Sequence, residues 1–453
     1  MAYPTEGVQP LAVTLGQFVA STHVESLPVE AVQSACLRVL DTIAAAATGV
    51  LQGTHTRLLE LFPGDGPIAI WGTGRRRSVR DAAIINSAVS HSTYFEDGCR
   101  YTGGHPSSAL IPAVFGLACE QEATGAQLIA AIVAGYEVFL RLGRAIYPST
   151  VQRGFQSTAI LAAPATAAAA AVLLNLSAER AAHAIAIACS HGAGLKAALK
   201  NAGSQPLQVG RSSEGGLLSA LYASHGVDGA LDVIEQGFLK AFSEGANAAV
   251  ITHELGQRWG IGQTYMKMHG GCRGNHAPID TAVALMREYC IEPSVIETMD
   301  VRVDTVTFAA EVAEPVNGDQ AKFSVAFSIV VRLLKGDAMP IRYTDAMLAD
   351  PGVRALMSRI RVRADKALDE GYPDRRGAIV QVLTTDGKQL EYALDRALGE
   401  PEQPFASADI ERKFDLTAGV LYGSAASRIK TLAMSMPSLA NVSEINELSS
   451  QVL

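Results

Sequence analysis

The run "HSTYFEDGCRYTGGHPSS", residues 91–108, gathers carboxylates, a thiol, a guanidinium and imidazoles in one turn-rich segment. Gly103-Gly104-His105-Pro106 cannot continue a helix, and the residue before a proline is pushed toward extended geometry. His105 is therefore expected on a loop, where an imidazole can shuttle protons near neutral pH. Asp97 is the carboxylate expected to work with it, and Tyr94 and Arg100 are candidate contacts for an anionic ligand. The plainer reading of the same residues is a solvated loop with an incidental histidine, although loops in packed helical proteins often carry function.

Three more polar breaks interrupt apolar sequence. Residues 190–216, "SHGAGLKAALKNAGSQPLQVGRSSEGG", hold Lys196, Lys200, Gln205 and Arg211 among small residues. A lysine there binds a carboxylate, or acts as a base if desolvation lowers its pKa. The alternative is an ordinary helix connection with solvated lysines. Gly210, just before Arg211, is a candidate start for a helix whose N-terminal amides would attract an anion. Residues 265–280, "YMKMHGGCRGNHAPID", place Cys272 four residues from His276, with Arg273 between them. A metal pair would need further ligands at matching spacing, which leaves a reactive thiol and imidazole, or a structural cysteine. Residues 146–158, "IYPSTVQRGFQST", bring Tyr147, Arg153 and Gln156 into what is otherwise a helix–helix turn.

No phosphate-binding glycine loop, dinucleotide fingerprint, nucleophile elbow or zinc-protease motif occurs, so nucleotide-dependent and serine-hydrolase chemistry lose their usual support. Acid–base and cationic groups remain. Such a set suits proton abstraction next to a carboxylate, with cations stabilising the enolate-like charge. Composition agrees. The 453 residues are 48% hydrophobic with a net charge of −8, enough to bury a large core and with no reason to expect nucleic acid or an anionic membrane as partner. Six cysteines are scattered without a C-x-x-C pair, which argues against iron–sulfur or zinc sites and suits a reducing cytoplasm. The N-terminus lacks a basic n-region and a continuous apolar stretch, so no signal peptide is expected.

The elements that must position these residues fall into two textures. Up to residue 265 the pattern is helical. "TGAQLIAAIVAGYEVFLRLGRAI" opens with Thr124 and Gln127 at capping-box spacing, and Ser177 heads another helix. Small residues dominate, and the apolar runs read as buried helices rather than membrane spans. Residues 266–399 read as an α+β domain: "DVRVDTVTF" and "SRIRVRAD" alternate like strands, "AIVQVLTTDGKQLEYAL" turns as a hairpin at Asp386-Gly387, and "KFSVAFSIVVRLL" is helical. Residues 400–453 return to helix and should complete the first domain. The fold class expected is mainly α with an inserted α+β domain.

Taken together, these segments resemble the MmgE/PrpD family, which includes 2-methylcitrate dehydratase, cis-aconitate decarboxylase and iminodisuccinate epimerase. The resemblance rests on "LDTIAAAATG", "DAAIINSAVSHSTYFEDG", "GGHPSSALIPAVFGLAC", "GYEVFLRLGRAI", "GFQSTAILAAPATAAAAAVLL", the Cys272-x-x-x-His276-x-x-Ile279-Asp280 run and "AKFSVAFSIV". It implies a large helical domain with a smaller α+β lid, a homodimer, and catalysis without metal or organic cofactor. His105 matches the family's functional histidine. The departures are specific. The family's His-x-x-Asp-Phe-Asp-Asp-Thr reads His91-x-x-Tyr94-Phe95-Glu96-Asp97-Gly98 here, an active-site histidine is Gln156, and an active-site lysine is Gln205. A glutamine cannot exchange a proton at neutral pH. The expected catalytic set is therefore His105, Lys200 and Tyr147 with Asp97 and Cys272. Tyr94, Arg100, Gln156, Lys196, Gln205, Arg211, Arg273 and His276 are expected to bind substrate. The expected activity is a cofactor-independent lyase, of dehydratase or decarboxylase type, on a small di- or tricarboxylic acid. An epimerase or isomerase of a substituted dicarboxylate, or a silent homologue that binds or assembles, are the alternatives.

Overall fold

The computed structural model describes residues 9–200 and 203–451, without the side chain of Lys200. The chain divides into two units: one holds residues up to Ser92, Glu96–Thr264 and everything from Ala406, and the other holds Thr93–Phe95 with Tyr265–Phe405.

The first unit is helical, and its centre is built on small residues. Gly125–Ile146 begins at the expected capping box: Gln127 N–H donates to Thr124 Oγ1 at 3.1 Å, and Thr124 N–H to Gln127 Oε1 at 2.8 Å. Against it lies the alanine-rich helix Ser157–Leu173, which is buried over almost its whole length. A Cβ on Gly135 would sit 3.0 Å from Ala165 O, and one on Gly216 only 2.3 Å from Ala163 O. Glycine is thus what lets Gly125–Ile146 and Gln205–Ser224 approach that helix backbone to backbone. Val29–Leu51 and Gly125–Ile146 are long and apolar enough to cross a membrane by length and composition, yet 83% and 89% of their apolar windows are buried within the protein.

The C-terminal helix Ser407–Tyr422 belongs to this unit and packs on Val29–Leu51. Lys413 reaches Asp41 at 2.7 Å with both side chains fully buried. Burial raises the Asp41 pKa despite Lys413, and lowers that of Lys413 despite Asp41. Further on, Gly72 N–H donates to Ser449 O at 2.8 Å beside the short hairpin of β1 (Ile68–Ile70) and β2 (Arg75–Arg77).

The second unit is α+β. Its sheet contains β3 (Ile296–Val303), β4 (Ile360–Ala364), β5 (Ala378–Thr384) and β6 (Gln389–Leu394) in the order β4-β3-β5-β6, with β3–β4 parallel and the other pairs antiparallel. Gly387, at φ +82°, makes the expected hairpin turn. Val325–Lys335 and His276–Glu288 share the core with the strands. The alternation of "DVRVDTVTF" does not continue as strand past Val303. Asp304 Oδ1 accepts from Thr307 N–H at 2.8 Å and caps a short helix, Thr305–Ala310. Capping chemistry overrides the pattern there.

Candidate active site

Four helix ends in the first unit carry the polar centre. His91 is the last residue of Val79–His91, His105 caps Pro106–Glu120, Gln156 caps Ser157–Leu173, and Gln205 opens Gln205–Ser224. Three of the four are N-termini, where unpaired amides and the macrodipole favour negative charge.

His105 is held by backbone. Its Nδ1 lies 2.5 Å from Asp97 O, and its N–H donates to Thr158 Oγ1 at 3.1 Å. A carbonyl only accepts, so Nδ1 carries the proton and Nε2 is the nitrogen with the basic lone pair. The Asp97 carboxylate is fully buried: it accepts from Tyr136 OH at 2.9 Å and Ser107 N–H at 3.1 Å, and Arg38 is 3.8 Å away. Burial raises its pKa, and Arg38 opposes that rise. Asp97 therefore acts on His105 through its carbonyl, while its carboxylate fastens the loop.

Behind His105 lies a second imidazole. The rings of His91 and His105 are 5.4 Å apart. His91 Nδ1 is 2.5 Å from Glu96 Oε1, which also accepts from Ser108 Oγ at 3.3 Å and lies 3.9 Å from His105 Nδ1. Gln156 Oε1 accepts from Ala159 N–H at 2.7 Å, as an N-cap does. That fixes its amide, so the Gln156 NH2 faces His91 Nε2 at 3.3 Å, and Gln205 Nε2 approaches the same nitrogen at 2.6 Å. With two amide donors on Nε2, the proton of the neutral ring sits on Nδ1 and is given to Glu96. Both glutamines thus set the state of a histidine.

Three buried hydrogen-bonding atoms at these helix starts, Ser107 Oγ, Ser157 Oγ and Gln205 Oε1, have no hydrogen-bond partner among the described residues. Native proteins tolerate few such atoms, and clustered ones mark a place for ligand or water.

The remaining predicted residues are distributed as follows. Tyr147 ends Gly125–Ile146 and lies against Gly103, where a Cβ would meet its ring at 3.3 Å. Arg100 donates to Tyr101 OH at 3.2 Å. Lys196 is exposed, Lys200 shares its turn, and the Lys200 side chain lies outside the described residues. Arg211 is exposed and pairs with Glu214. Gly210 opens no helix: it is buried inside Gln205–Ser224, which begins at Gln205-Pro206 because proline suits the first turn.

Tyr94, Cys272, Arg273 and His276 belong to the second unit. There Lys267 Nζ donates to Tyr94 O at 2.7 Å, and Tyr94 meets the Phe323 ring. Arg273 is paired with Glu400 at 2.6 Å and stacks over Tyr265, while His276 is buried beside the His269 ring. Cys272 is a half-buried free thiol. Among the described residues, no group of three His, Cys, Asp or Glu is placed to hold a metal.

His91, Glu96, Ser108 and the Asp41–Lys413 pair were not among the predicted site residues. His91 and Glu96 are five apart across the end of the helix Val79–His91, which matches no helical or strand repeat. The available signal was their shared segment with His105.

Sequence comparison matches residues 13–251 to the MmgE/PrpD N-terminal domain and residues 269–436 to the MmgE/PrpD C-terminal domain. The chain belongs to the MmgE/PrpD family. Among curated relatives, cis-aconitate decarboxylase-like protein oryM of Aspergillus oryzae is 25% identical over 95% of both chains. Cis-aconitate decarboxylase of Aspergillus terreus is 26% identical over 94% of this chain and 92% of its own. The Homo sapiens cis-aconitate decarboxylase is 25% identical over 84% of this chain and 82% of its own. The family and these relatives point to an enzyme of lyase type.

Proposed function

We propose that this family member is a lyase of the dehydratase or decarboxylase type, acting without metal or organic cofactor on a small polycarboxylic acid. The observation that carries the reading is His105: a part-exposed imidazole with its tautomer fixed by Asp97 O, at a cluster of helix N-termini lined by unpartnered buried oxygens. The N-termini would hold substrate carboxylates and the enolate-like charge that develops beside them.

Decarboxylation breaks the carbon–carboxylate bond, releases carbon dioxide and leaves an electron pair in the remaining conjugated acid. A proton from protonated His105 Nε2 would quench that pair, and solvent would restore the proton. In a dehydration the same nitrogen, neutral, would take the proton next to a carboxylate and hand it to the departing hydroxide, which leaves as water. In either case Glu96 and the two glutamines would orient the second imidazole, His91, behind it.

The test is incubation with cis-aconitate and a panel of tricarboxylic acids in heavy water. Carbon dioxide release, unsaturation and deuterium at carbon are followed by NMR, with His105→Gln as control. Loss of carbon dioxide or water that depends on His105 supports the proposal. Deuterium exchange without either loss would replace it by the epimerase reading, and no reaction with any acid would remove it.

A further inference from the structure

We infer that the helical unit carries a second site, for a small oxyanion such as phosphate or a carboxylate, apart from His105. The place is a cavity of about 160 Å³ lined by Glu137, Arg141, Arg144, His253, Glu254 and Arg258, together with Gly260 and Gln263. Pockets for drug-sized ligands run to about 300 Å³ or more, so this one suits a small ion and its waters.

Its frame is organised by a guanidinium that is itself fully engaged. Arg141 is buried and bonds Glu137 Oε2 at 2.9 Å. Its remaining nitrogens donate to the carbonyls of Ile251, His253, Glu254 and Arg258 at 2.7–3.3 Å. Five acceptors on one side chain fix the loop that presents His253 and Arg258 at the rim. Glu137 lines the cavity with both oxygens engaged, one by Arg141 and the other by Gly260 N–H, and Arg144 lies within reach of its charge.

Arg144 is different. Its Nη2 donates to the neutral amide of Gln263, its Nε is buried without a hydrogen-bond partner among the described residues, and its guanidinium lies 5.5 Å over the Tyr101 ring. Among the described residues no carboxylate lies within ion-pair distance of it. Glu254, the other acid of the lining, is 3.9 Å from Arg258 and 3.6 Å from His253, too long for firm hydrogen bonds. A guanidinium with an unused donor, lining a cavity where the exposed Arg258 is only loosely paired, is what a planar or tetrahedral oxyanion would complete.

The full chain is titrated calorimetrically with inorganic phosphate and separately with acetate, at ionic strength held constant with chloride. Saturable binding of one anion per chain is expected, weakened about tenfold or more by Arg144→Met, the loss of one charge-assisted hydrogen bond. Arg258→Gln should weaken it more modestly, and it decides the matter should Arg144→Met fail to fold by circular dichroism. The tighter of the two anions identifies the ligand as phosphate-like or carboxylate-like. Binding should persist in His105→Gln. Absence of saturable heat with both anions, binding indifferent to Arg144 and Arg258, or binding lost with His105 would each overturn the inference.

Discussion

Replacing Lys413 by Met removes half of an ion pair formed at 2.7 Å in complete burial. Breaking such a pair costs about 3–5 kcal/mol, because the partner is left as an uncompensated buried charge. The sign of the pH dependence follows from Asp41. Burial already raises its pKa, with Asp97 adding to the rise and Lys413 and Arg38 opposing it. Without Lys413 it climbs further. The native state then keeps a proton that the unfolded chain releases near pH ~3.9, so stability is present below that pH and lost as pH rises through the native pKa. The slope reaches about 1.4 kcal/mol per pH unit.

Asp41→Asn behaves in the mirror sense. Burial lowers the Lys413 pKa, with Asp41, Glu96 and Asp97 opposing, and losing Asp41 lowers it further. The unfolded chain takes up that proton near pH ~10.4, so stability is present above that pH and lost as pH falls through the native pKa. Urea unfolding followed by circular dichroism, at several pH values between about 6 and 8.5, gives both slopes. The double variant Asp41→Leu with Lys413→Met should recover most of the loss, since an apolar pair of similar volume is often neutral. The reasoning fails if both single variants lose less than about 1 kcal/mol and share the wild-type pH slope.

Three further outcomes are expected. His105→Gln should lower turnover by about two to four orders of magnitude, as loss of a general acid or base does, with the melting temperature unchanged. Gln156→Ala removes both the cap on Ala159 N–H and an amide facing His91; it should cost about 1 kcal/mol in urea unfolding and also depress turnover, so a purely structural effect on a fully active enzyme would contradict the site described. Gly125→Ala would place a Cβ 1.8 Å from Met436 O and should cost about 3 kcal/mol or more, whereas Gly245→Ala, with nothing within 4 Å, should stay within about 0.5 kcal/mol; equal melting temperatures for the two would refute the packing.

What was legible in the sequence was local. The Thr124–Gln127 box, the Ser177 cap and the Asp386-Gly387 turn are each decided by a few neighbouring residues, and all three occur. His105 was legible because glycine and proline dictate the backbone around it. The Gly210 helix start was misread for want of weight on Pro206, which marks the true first turn. The His91–Glu96 pair and its two glutamines were not legible, because their contact depends on four helix ends meeting in space. Gln156 and Gln205 looked like chemistry removed. Their amides instead meet on one imidazole nitrogen, which no linear pattern expresses.

The helix that supplies Lys413 has a consequence for biosynthesis. A ribosome adds about 5–20 residues per second, so roughly 20–75 seconds separate the appearance of Asp41 from that of Lys413. Throughout that interval the helix Val29–Leu51 exists without the ammonium that compensates its buried carboxylate and without the helix that covers it. All of β3–β6 has been synthesised before Ser407–Tyr422 is made. The later-encoded unit can therefore mature first, and the helical unit, begun at the start of translation, closes only with the last fifty or so residues. A nascent chain arrested before Lys413 should expose alanine-rich helices to chaperones, and one arrested after the final helices should not.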